Sequence, residues 1–489
     1  MADLRVRRQP VPAGGVRLAL LVLLGLGLLL PYLAARGLGD LRLHTPGFVV
    51  AFTAAFGLYL AAAALMLRPR PGSSTYPRLT LAITLFFAVL FRLVLLPTQP
   101  TLSDDMYRYV WDGRVQAHGL SPYRYPPNAS ALSVLRAGDR TVWKYINRKA
   151  AVTVYPPGAQ LAFAFVWRVV GDSVTGFKAA FVLAELAGAA ALMGLLRALG
   201  QPPERMLLYL WSPLLVFEVA HAGHVDGLLL PLLILAFWAR VKERPGLLGV
   251  ALGAATLVKL FPALLLPALL PLGATGHWRS RARPAAVMLA AWGVTLLLGY
   301  LPYALQEGGV VGFLPNYLAE NFNLGLAARL FALARWAGWP EAQLANAVTF
   351  GGLVVLGGVF VFRPAADGRT ALGRCVWLIG WYTLWTQNLF PWYLLWLLPL
   401  LVVFTAPGRR LGFAMTPATA WLVFTGTVAY AYLFFIRWQV VPAGQAAEFA
   451  PLYALLGLSA WAPARAALAR WAARRRAGRL VLEEASHAA

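Results

Sequence analysis

The chain has 489 residues, of which 60% are hydrophobic and 13% are charged. Soluble globular proteins contain roughly 45–50% apolar and about 25% charged residues, so this composition excludes a soluble protein and predicts a membrane protein. The single cysteine, Cys375, excludes a disulfide framework and any cysteine-based zinc or iron–sulfur site.

The net charge of +24 indicates membrane topology rather than an anionic partner. Basic clusters stand beside apolar segments at Arg5, Arg7, Arg8 and Arg17, at Arg68, Arg70 and Arg78, and at Arg470, Arg474, Arg475, Arg476 and Arg479. Cytoplasmic loops of membrane proteins carry such an excess of basic residues. No basic stretch is interleaved with aromatic residues in a polar context, so we expect no nucleic-acid partner.

The first 97 residues are expected to cross the membrane three times, because apolar segments cover 16–35, 47–67 and 79–97. The first segment also suits a cleavable signal peptide, but the spans that follow at once favour a retained signal anchor. With the basic N-terminus in the cytoplasm, the third span ends outside. The more polar residues 98–157 are therefore predicted to form a long extracytoplasmic loop.

Apolar segments continue through residues 158–463 and predict the transmembrane core. With the first three spans they give about 11–14 crossings, so the predicted fold class is an all-α polytopic helical bundle. The excess of Arg over Lys suits a GC-biased prokaryotic genome and hence the cytoplasmic membrane of a prokaryote. A second polar segment, 306–325, is expected on the same side as the loop, and 464–489 are expected to form a basic cytoplasmic tail.

The loop contains the most informative run in the chain, residues 101–114, in which Asp104 and Asp105 are adjacent. Ser103 suits the N-cap of a helix, and the acids after it suit the positive end of the helix dipole. One face of this helix would hold Met106, Tyr109, Val110 and Gly113, and another would hold Asp105, Arg108, Asp112 and Gln116. The run predicts an amphipathic juxtamembrane helix that ends at Gly119 and lies on the outer membrane surface.

Two interpretations of the acids are open at this point. They could stabilise the helix dipole and join Arg108 in a solvated ladder of ion pairs. Alternatively, one carboxylate at the boundary between membrane and water could act as a general base that takes the proton of a sugar hydroxyl.

The run from Ser103 to Arg114 and the Gly-Leu-Ser-Pro-Tyr run at 119–123 resemble polytopic GT-C glycosyltransferases. The resemblance is to the prokaryotic mannosyltransferase-like branch, which uses polyprenyl-phosphate sugars. Four further runs resemble the same branch, at 155–160 (YPPGAQ), 223–227 (GHVDG), 257–262 (LVKLFP) and 390–396 (FPWYLLW). The two spans before the third look like an N-terminal extension.

The resemblance implies an inverting hexosyltransferase, with mannose as the expected sugar, that works on the extracytoplasmic face. A motif aspartate would deprotonate a hydroxyl of a glycan or glycolipid acceptor, which attacks the anomeric carbon as polyprenyl phosphate leaves. Asp104 is the expected base and Asp105 the second candidate. The other acid would orient the acceptor or bind a metal, so no cofactor is assumed and a divalent metal is left open.

The same motifs supply the candidate residues for binding donor and acceptor. These are Arg108, Arg114, Tyr123, Tyr155, His224, Asp226, Lys259, Trp392 and Tyr393. Lys259, in an apolar run, could hold the lipid phosphate or extend to a headgroup. His224 and Asp226, with His221, could bind the donor, cap a helix or hold a metal, although their spacing does not share one helix face.

Two glutamates stand inside predicted spans, where a charge costs about 2.5–3.5 kcal/mol on insertion scales. We expect structural ion pairs for Glu185 and Glu218, with Lys178 or Arg168 as the partner of Glu185.

Two other functions remain open. A transporter or flippase of lipid-linked sugars would also have many spans and buried charges, but it predicts an inverted repeat, which the sequence does not display. A non-catalytic scaffold subunit would tolerate the loss of Asp104. The expected partners of the enzyme are a polyprenyl-phosphate sugar, a glycan or glycolipid acceptor, and membrane lipids.

Overall fold

The computed structural model describes residues 13–68, 77–139, 141–272, 278–306, 309–317, 325–408 and 412–461. The regular secondary structure of this part is helical apart from one short antiparallel hairpin, β1 (Pro407–Gly408) and β2 (Gly412–Phe413). The predicted all-α class is confirmed. The tail predicted at 464–489 lies outside the described residues.

Seven helices of the described chain are long and apolar enough to cross a membrane. They cover Gly15–Gly37, Thr45–Leu67, Pro77–Leu95, Val174–Ala198, Ala282–Ala304, Gln343–Phe362 and Pro417–Ile436. The predicted polytopic bundle is thus confirmed. Other apolar segments of the predicted 11–14 spans are divided into shorter helical pieces, several of which have proline at their first or second position, as at Pro213, Pro262 and Pro391.

Several long helices expose large apolar side chains that a soluble protein would bury. Leu297 and Leu298 are 62% and 63% exposed, and Val354 is 74% exposed. Contiguous apolar surface on this scale indicates contact with lipid. The fully buried aromatic residues, among them Trp111, Trp211 and Trp396, lie instead in the interior of the bundle.

The N-terminal unit consists of α1 (Ala13–Gly37), α2 (Thr45–Leu67) and α3 (Pro77–Leu95). The connection between α1 and α2 lies at the same end of the bundle as the residues that follow α3, because the Leu41 N–H donates to Thr101 Oγ1 at 3.1 Å. Three helices that alternate in direction account for this arrangement.

The predicted helix in the loop is α4 (Asp105–Ala117), which begins one residue later than expected. Asp104 occupies the N-cap position, and Ser103 Oγ accepts a hydrogen bond from the Asp105 N–H at 3.3 Å. Gly119 follows the helix with a φ of +76°, as a C-terminal glycine does. The rest of the loop contains a 3-10 turn, Ser130–Leu132, and two single turns, α5 (Ser133–Arg136) and α6 (Val142–Tyr145).

Both faces of α4 are buried, whereas a helix on the membrane surface would leave its polar face in water. Asp112 is fully buried and Arg108 is 5% exposed. The Arg108 Nε donates to Asp112 Oδ1 at 2.7 Å, and the Gln160 Nε2 donates to Asp112 Oδ2 at 2.9 Å. The loop folds over the polar face and α7 (Pro157–Val170) packs beside it, so the polar side chains form an internal network.

The centre of the bundle is built from long and short helices. After α7 these are α8 (Val174–Ala198), a 3-10 turn (Pro203–Met206), α9 (Leu207–Leu210), α10 (Pro213–Leu215), a π-helical turn (Val216–His221), α11 (Asp226–Val241) and α12 (Pro245–Val258). Gly223, between the π-helical turn and α11, has a φ of +75°, and a Cβ there would overlap the Met106 methyl group. Glycine is therefore required at this turn.

The expected partner of Glu185 was wrong. The Arg92 guanidinium, from α3, donates to both carboxylate oxygens of Glu185 at 2.7 and 3.0 Å. Lys178 donates instead to the carbonyl oxygens of Thr98 and His221, at 2.6 and 3.1 Å. Proximity in sequence suggested Lys178 or Arg168, but Arg92 reaches Glu185 from α3 and supplies a bidentate partner.

The remaining helices complete the bundle. They are a 3-10 turn (Phe261–Leu265), α13 (Leu266–Leu269), α14 (Trp278–Ala304), α15 (Leu314–Tyr317), α16 (Leu326–Trp336), α17 (Glu341–Phe362), α18 (Gly368–Trp385), a 3-10 turn (Pro391–Trp396), α19 (Leu398–Phe404), α20 (Pro417–Thr427), a 3-10 helix (Val428–Ile436) and α21 (442–461). The two 3-10 elements Pro391–Trp396 and Val428–Ile436 face the start of α4 across a cavity.

Candidate active site

A cavity of about 670 Å³ lies between the start of α4 and the C-terminal half of the bundle. Seven of the predicted site residues line it, namely Asp104, Asp105, Arg108, Tyr155, Lys259, Trp392 and Tyr393. His224 and Asp226 lie directly behind this lining, in contact with Trp392 and Lys259. The fold therefore gathers motifs that are far apart in sequence around one cavity.

Asp104 presents one carboxylate oxygen to a protein partner and leaves the other open. The Arg42 Nη1, from the connection between α1 and α2, donates to Asp104 Oδ1 at 3.0 Å. No residue in the described ranges donates a hydrogen bond to Asp104 Oδ2. A ligand in the cavity can therefore reach this oxygen.

Asp105 has a protein neighbour at each oxygen. The Asn147 Nδ2 donates to Asp105 Oδ1 at 3.0 Å, and His224 Nδ1 lies 3.8 Å from Asp105 Oδ2. The His224 ring stacks on Trp392, with 3.9 Å between the ring centroids. Asp105 is thus held more closely than Asp104.

The electrostatic surroundings shift the acidity of Asp104. Burial raises the pKa of its carboxyl group above the ordinary value, and the charge of Asp105 raises that pKa further, whereas Arg42 lowers it. A carboxylate whose pKa is closer to the working pH is the stronger base. The surroundings of Asp104 therefore suit a group that accepts a proton.

Lys259 is fixed at the cavity wall by a buried carboxylate. Its Nζ donates to Asp226 Oδ2 at 2.9 Å and to Oδ1 at 3.2 Å, and the Trp396 Nε1 donates to Asp226 Oδ1 at 2.6 Å. The Lys259 Nζ also lies 5.2 and 5.1 Å from the ring centroids of Tyr393 and Trp396. These contacts stabilise an ammonium group at the edge of the cavity.

Two guanidinium groups also line the cavity. Arg108 donates through Nε to Asp112 and through Nη1 to the Ala151 carbonyl oxygen, at 2.7 and 3.0 Å. Its Nη2 is buried and has no hydrogen-bond partner in the described part of the chain. The Arg148 guanidinium lies 5.5 Å from the ring centroid of Phe313. With Lys259, these groups give the cavity cations that suit an anion such as a phosphate.

Two predicted binding residues do not reach the cavity. Arg114 donates to Asp139 Oδ2 at 2.5 Å and to Asp172 Oδ1 at 2.9 Å, which ties α4 to the loop and to the α7–α8 connection. Ten residues of helix place it about 15 Å from Asp104 along the axis. Tyr123 donates its hydroxyl to the Tyr155 carbonyl oxygen at 2.7 Å and supports the loop from outside the cavity.

The second polar segment contributes to the same site. The Phe313 N–H donates to the Thr153 carbonyl oxygen at 3.1 Å, and Phe313, Leu314 and Tyr317 line the cavity. The predicted polar residues Glu307, Gly308, Glu320, Asn321 and Asn323 lie outside the described residues.

Several residues at the site were not predicted there. Arg42, Asn147 and Arg148 come from connections without periodicity, so no sequence pattern singled them out. Glu218 was expected in a structural ion pair, yet it lies 3.3 Å from His224 and accepts a hydrogen bond from the Tyr432 hydroxyl at 2.7 Å. Its place as an ionisable residue inside a predicted span was a signal that it has a partner or a function.

The histidines and acids of the site do not converge on one point. Across the described ranges, no three His, Cys, Asp or Glu side chains are arranged to hold a metal ion. His221 Nδ1 lies 2.8 Å from Thr98 Oγ1, while His224 and Asp226 have the separate partners given above.

Comparison with protein families gives a match over the N-terminal half of the chain. Residues 15–275, which is more than half of the chain, match the N-terminal domain of the alpha-(1->6)-mannopyranosyltransferases. The matched segment includes the acidic motif, the π-helical turn and Lys259. Among curated proteins no significant match was found.

Proposed function

Because the chain belongs to the alpha-(1->6)-mannopyranosyltransferase family, we propose that it moves mannose from a polyprenyl phosphate to a hydroxyl of a glycan or glycolipid on the extracytoplasmic side of the membrane. Family membership makes the chain a glycosyltransferase of the GT-C type, in agreement with the sequence motifs, and removes the flippase interpretation. The donor, the acceptor class, the side of the membrane and the roles of individual residues are parts of the proposal.

The observation that carries the proposal is the open oxygen of Asp104 in a cavity that three cationic side chains also line. Asp104 Oδ2 would take the proton of the acceptor hydroxyl. Arg108, Arg148 and Lys259 line the same cavity and would hold the donor phosphate. A base and a leaving-group site that face one space are what a single displacement requires.

The proposed transfer accounts for every bond and proton with the donor, the acceptor and the side chains named above. The acceptor oxygen loses its proton to Asp104 and forms a bond to the anomeric carbon, while the bond from that carbon to the phosphate oxygen breaks. The electron pair of the broken bond stays on the phosphate, whose growing charge the cations stabilise. Attack opposite the leaving group inverts the anomeric centre, so an α-linked product requires a β-linked donor.

The apolar part of the cavity suits a prenyl chain. Leu264, Phe350, Phe435, Trp438 and Val440 form an apolar side of it. Phe350, Trp438 and Val440 are 39%, 64% and 41% exposed, so this side reaches the lipid-facing surface. A polyprenyl tail could enter from the bilayer here while its phosphate meets the cations.

The test is transfer by the purified protein in liposomes that contain polyprenyl-phosphate mannose and a panel of glycan and lipid acceptors. We expect Asp104→Asn to lower kcat by about 10²–10⁴-fold, the usual contribution of a general base. Asp105→Asn should lower it less, because this acid orients rather than deprotonates. Asp172→Asn, at a carboxylate that is 45% exposed and remote from the cavity, is the matched control. If both motif variants transfer mannose as fast as wild type, the proposal is wrong.

A further inference from the structure

Four side chains form a row that runs from the C-terminal part of the bundle to the acidic motif. The Tyr432 hydroxyl donates to Glu218 Oε1 at 2.7 Å, and Glu218 Oε2 lies 3.3 Å from His224 Nε2. The other ring nitrogen of His224 lies 3.8 Å from Asp105 Oδ2. The row joins the 3-10 helix Val428–Ile436, the π-helical turn and the start of α4.

A carboxylate buried as Glu218 is should have either a charged partner or a function. Its side chain is 1% exposed, and an unpaired carboxylate inside a membrane protein is costly. Glu185, the comparable buried acid, has the bidentate Arg92. Glu218 has no Lys or Arg partner within the described ranges, and its only basic neighbour there is His224. A purely structural ion pair therefore does not account for Glu218.

The contact between Glu218 and His224 falls short of a hydrogen bond in the structure. Glu218 Oε2 and His224 Nε2 are both buried, and neither has a hydrogen-bond partner in the described part of the chain. Two unsatisfied polar atoms 3.3 Å apart need only a small rotation to bond. Hydrogen bonds of catalytic groups are often long before substrate binds and shorten afterwards.

The backbone at this point is shaped to bring the two side chains together. Glu218 lies in the π-helical turn, and such turns are frequent at functional sites. Gly223 then reverses the chain with a positive φ and delivers His224 onto the face of Trp392. An imidazole held by a carboxylate on one side is oriented toward its partner on the other, as in other carboxylate–histidine pairs.

We infer that Glu218 is a positioning residue for the acidic motif: it holds the His224 imidazole against Asp105, and the Tyr432 hydroxyl fixes Glu218 in turn. The inference rests on the proposed function, because it gives Asp105 the task of orienting the acceptor. Glu218 touches neither donor nor acceptor and acts only through His224.

The experiment is steady-state kinetics of the full-length protein in liposomes with polyprenyl-phosphate mannose. Glu218→Gln keeps the size of the side chain and an acceptor for Tyr432 but removes the charge that faces His224. We expect kcat to fall about ten-fold, because a small misplacement of a reacting group costs up to about 10²-fold. The KM for the donor should stay within about two-fold, since the phosphate-binding cations are unchanged.

Two further variants separate positioning from folding. Tyr432→Phe removes one hydrogen bond without changing shape, and it should lower kcat about three-fold with an unchanged donor KM. Glu448→Gln makes the same chemical change as Glu218→Gln at another buried glutamate, 3% exposed, that does not line the cavity. It should leave kcat unchanged.

A double-mutant cycle supplies the decisive outcome. If Glu218 acts through His224, adding Glu218→Gln to His224→Gln should lower kcat no further than His224→Gln alone. Additive losses, or a kcat for Glu218→Gln equal to that of Glu448→Gln, would overturn the inference. Asp104→Asn is measured beside these variants to test the proposed function separately. If Asp104→Asn is inactive while Glu218→Gln is as active as wild type, the inference about Glu218 fails and the proposed function stands.

Discussion

Two adjacent carboxylates at the start of α4 have different surroundings and therefore suit different tasks. Asp105 has Asn147 and His224 beside its two oxygens, at 3.0 and 3.8 Å, whereas among the described residues Asp104 has Arg42 alone, at 3.0 Å from one oxygen. A held carboxylate orients a ligand well, while an open one can accept a proton. The choice of Asp104 as base follows from this difference as well as from its place in the motif.

Arg42 offers a test of the base at the scale of a single residue. If Asp104 is the base, as proposed, transfer requires its ionised form, and activity should fall as the pH drops through the pKa of this group. Burial places that pKa above the ordinary aspartate value, and Arg42 opposes the shift. Arg42→Ala should therefore raise the pKa of Asp104 further and move the acidic limb of the kcat profile to higher pH.

The control for this prediction is Arg42→Lys, which keeps a positive charge near Asp104 and should leave the acidic limb close to its wild-type position. Both profiles are measured as initial rates of mannose transfer over a range of pH. An acidic limb that stays in place in Arg42→Ala would show that Asp104 does not control it.

Residues inside a motif could be predicted from the sequence, whereas their partners could not. Asp104, Lys259 and Trp392 stand in runs whose context resembles a family, and all three line the cavity. Arg42 comes from a connection between two spans that looked like an extension. Its contact with Asp104 depends on the packing of α1 and α2 beside α3, which no local pattern records.

At the scale of elements, the position of α4 could be predicted but its burial could not. The N-cap, the apolar spacing and Gly119 gave the helix to within one residue at its start. A polar face is usually a solvated face, yet here Asp112 is fully buried, because Arg108 and Gln160 satisfy its two oxygens. Such burial depends on long-range partners, which periodicity does not reveal.

The buried ion pair between Arg92 of α3 and Glu185 of α8 is expected to stabilise the bundle. Replacing Glu185 by Leu leaves Arg92 buried without its carboxylate, and breaking a buried pair costs about 3–5 kcal/mol. We expect Glu185→Leu to shorten the half-life of the purified protein in detergent at a fixed temperature, measured by the loss of monodisperse protein.

The double variant Arg92→Met with Glu185→Leu is the control, because an apolar pair of similar volume can replace a buried ion pair with little loss. It should survive longer than Glu185→Leu alone. If the half-life of the double variant is shortened by as much as the effects of Arg92→Met and Glu185→Leu together, the two residues stabilise the bundle independently of each other.

At the scale of the whole molecule, the arrangement of the helices puts the cavity at one end of the bundle. The α1–α2 connection and the residues after α3 meet there, through the contact of Arg42 with Asp104. α11 begins at Asp226 beside the cavity and runs for 16 residues, about 24 Å, to Val241. The connection that follows α11 therefore lies toward the opposite end.

The single cysteine allows the side of the membrane to be tested directly. Cys375 is fully buried, so it should not react with a membrane-impermeant maleimide. Val134, in the long loop, is 81% exposed, and Glu243, after α11, is also exposed. If the basic clusters mark the cytoplasm, Val134→Cys should be labelled in intact cells and Glu243→Cys only after permeabilisation. The parent protein, which has Cys375 alone, is the control. Labelling of Glu243→Cys in intact cells, with Val134→Cys labelled only after permeabilisation, would put Asp104 on the cytoplasmic side and contradict the proposed extracytoplasmic transfer.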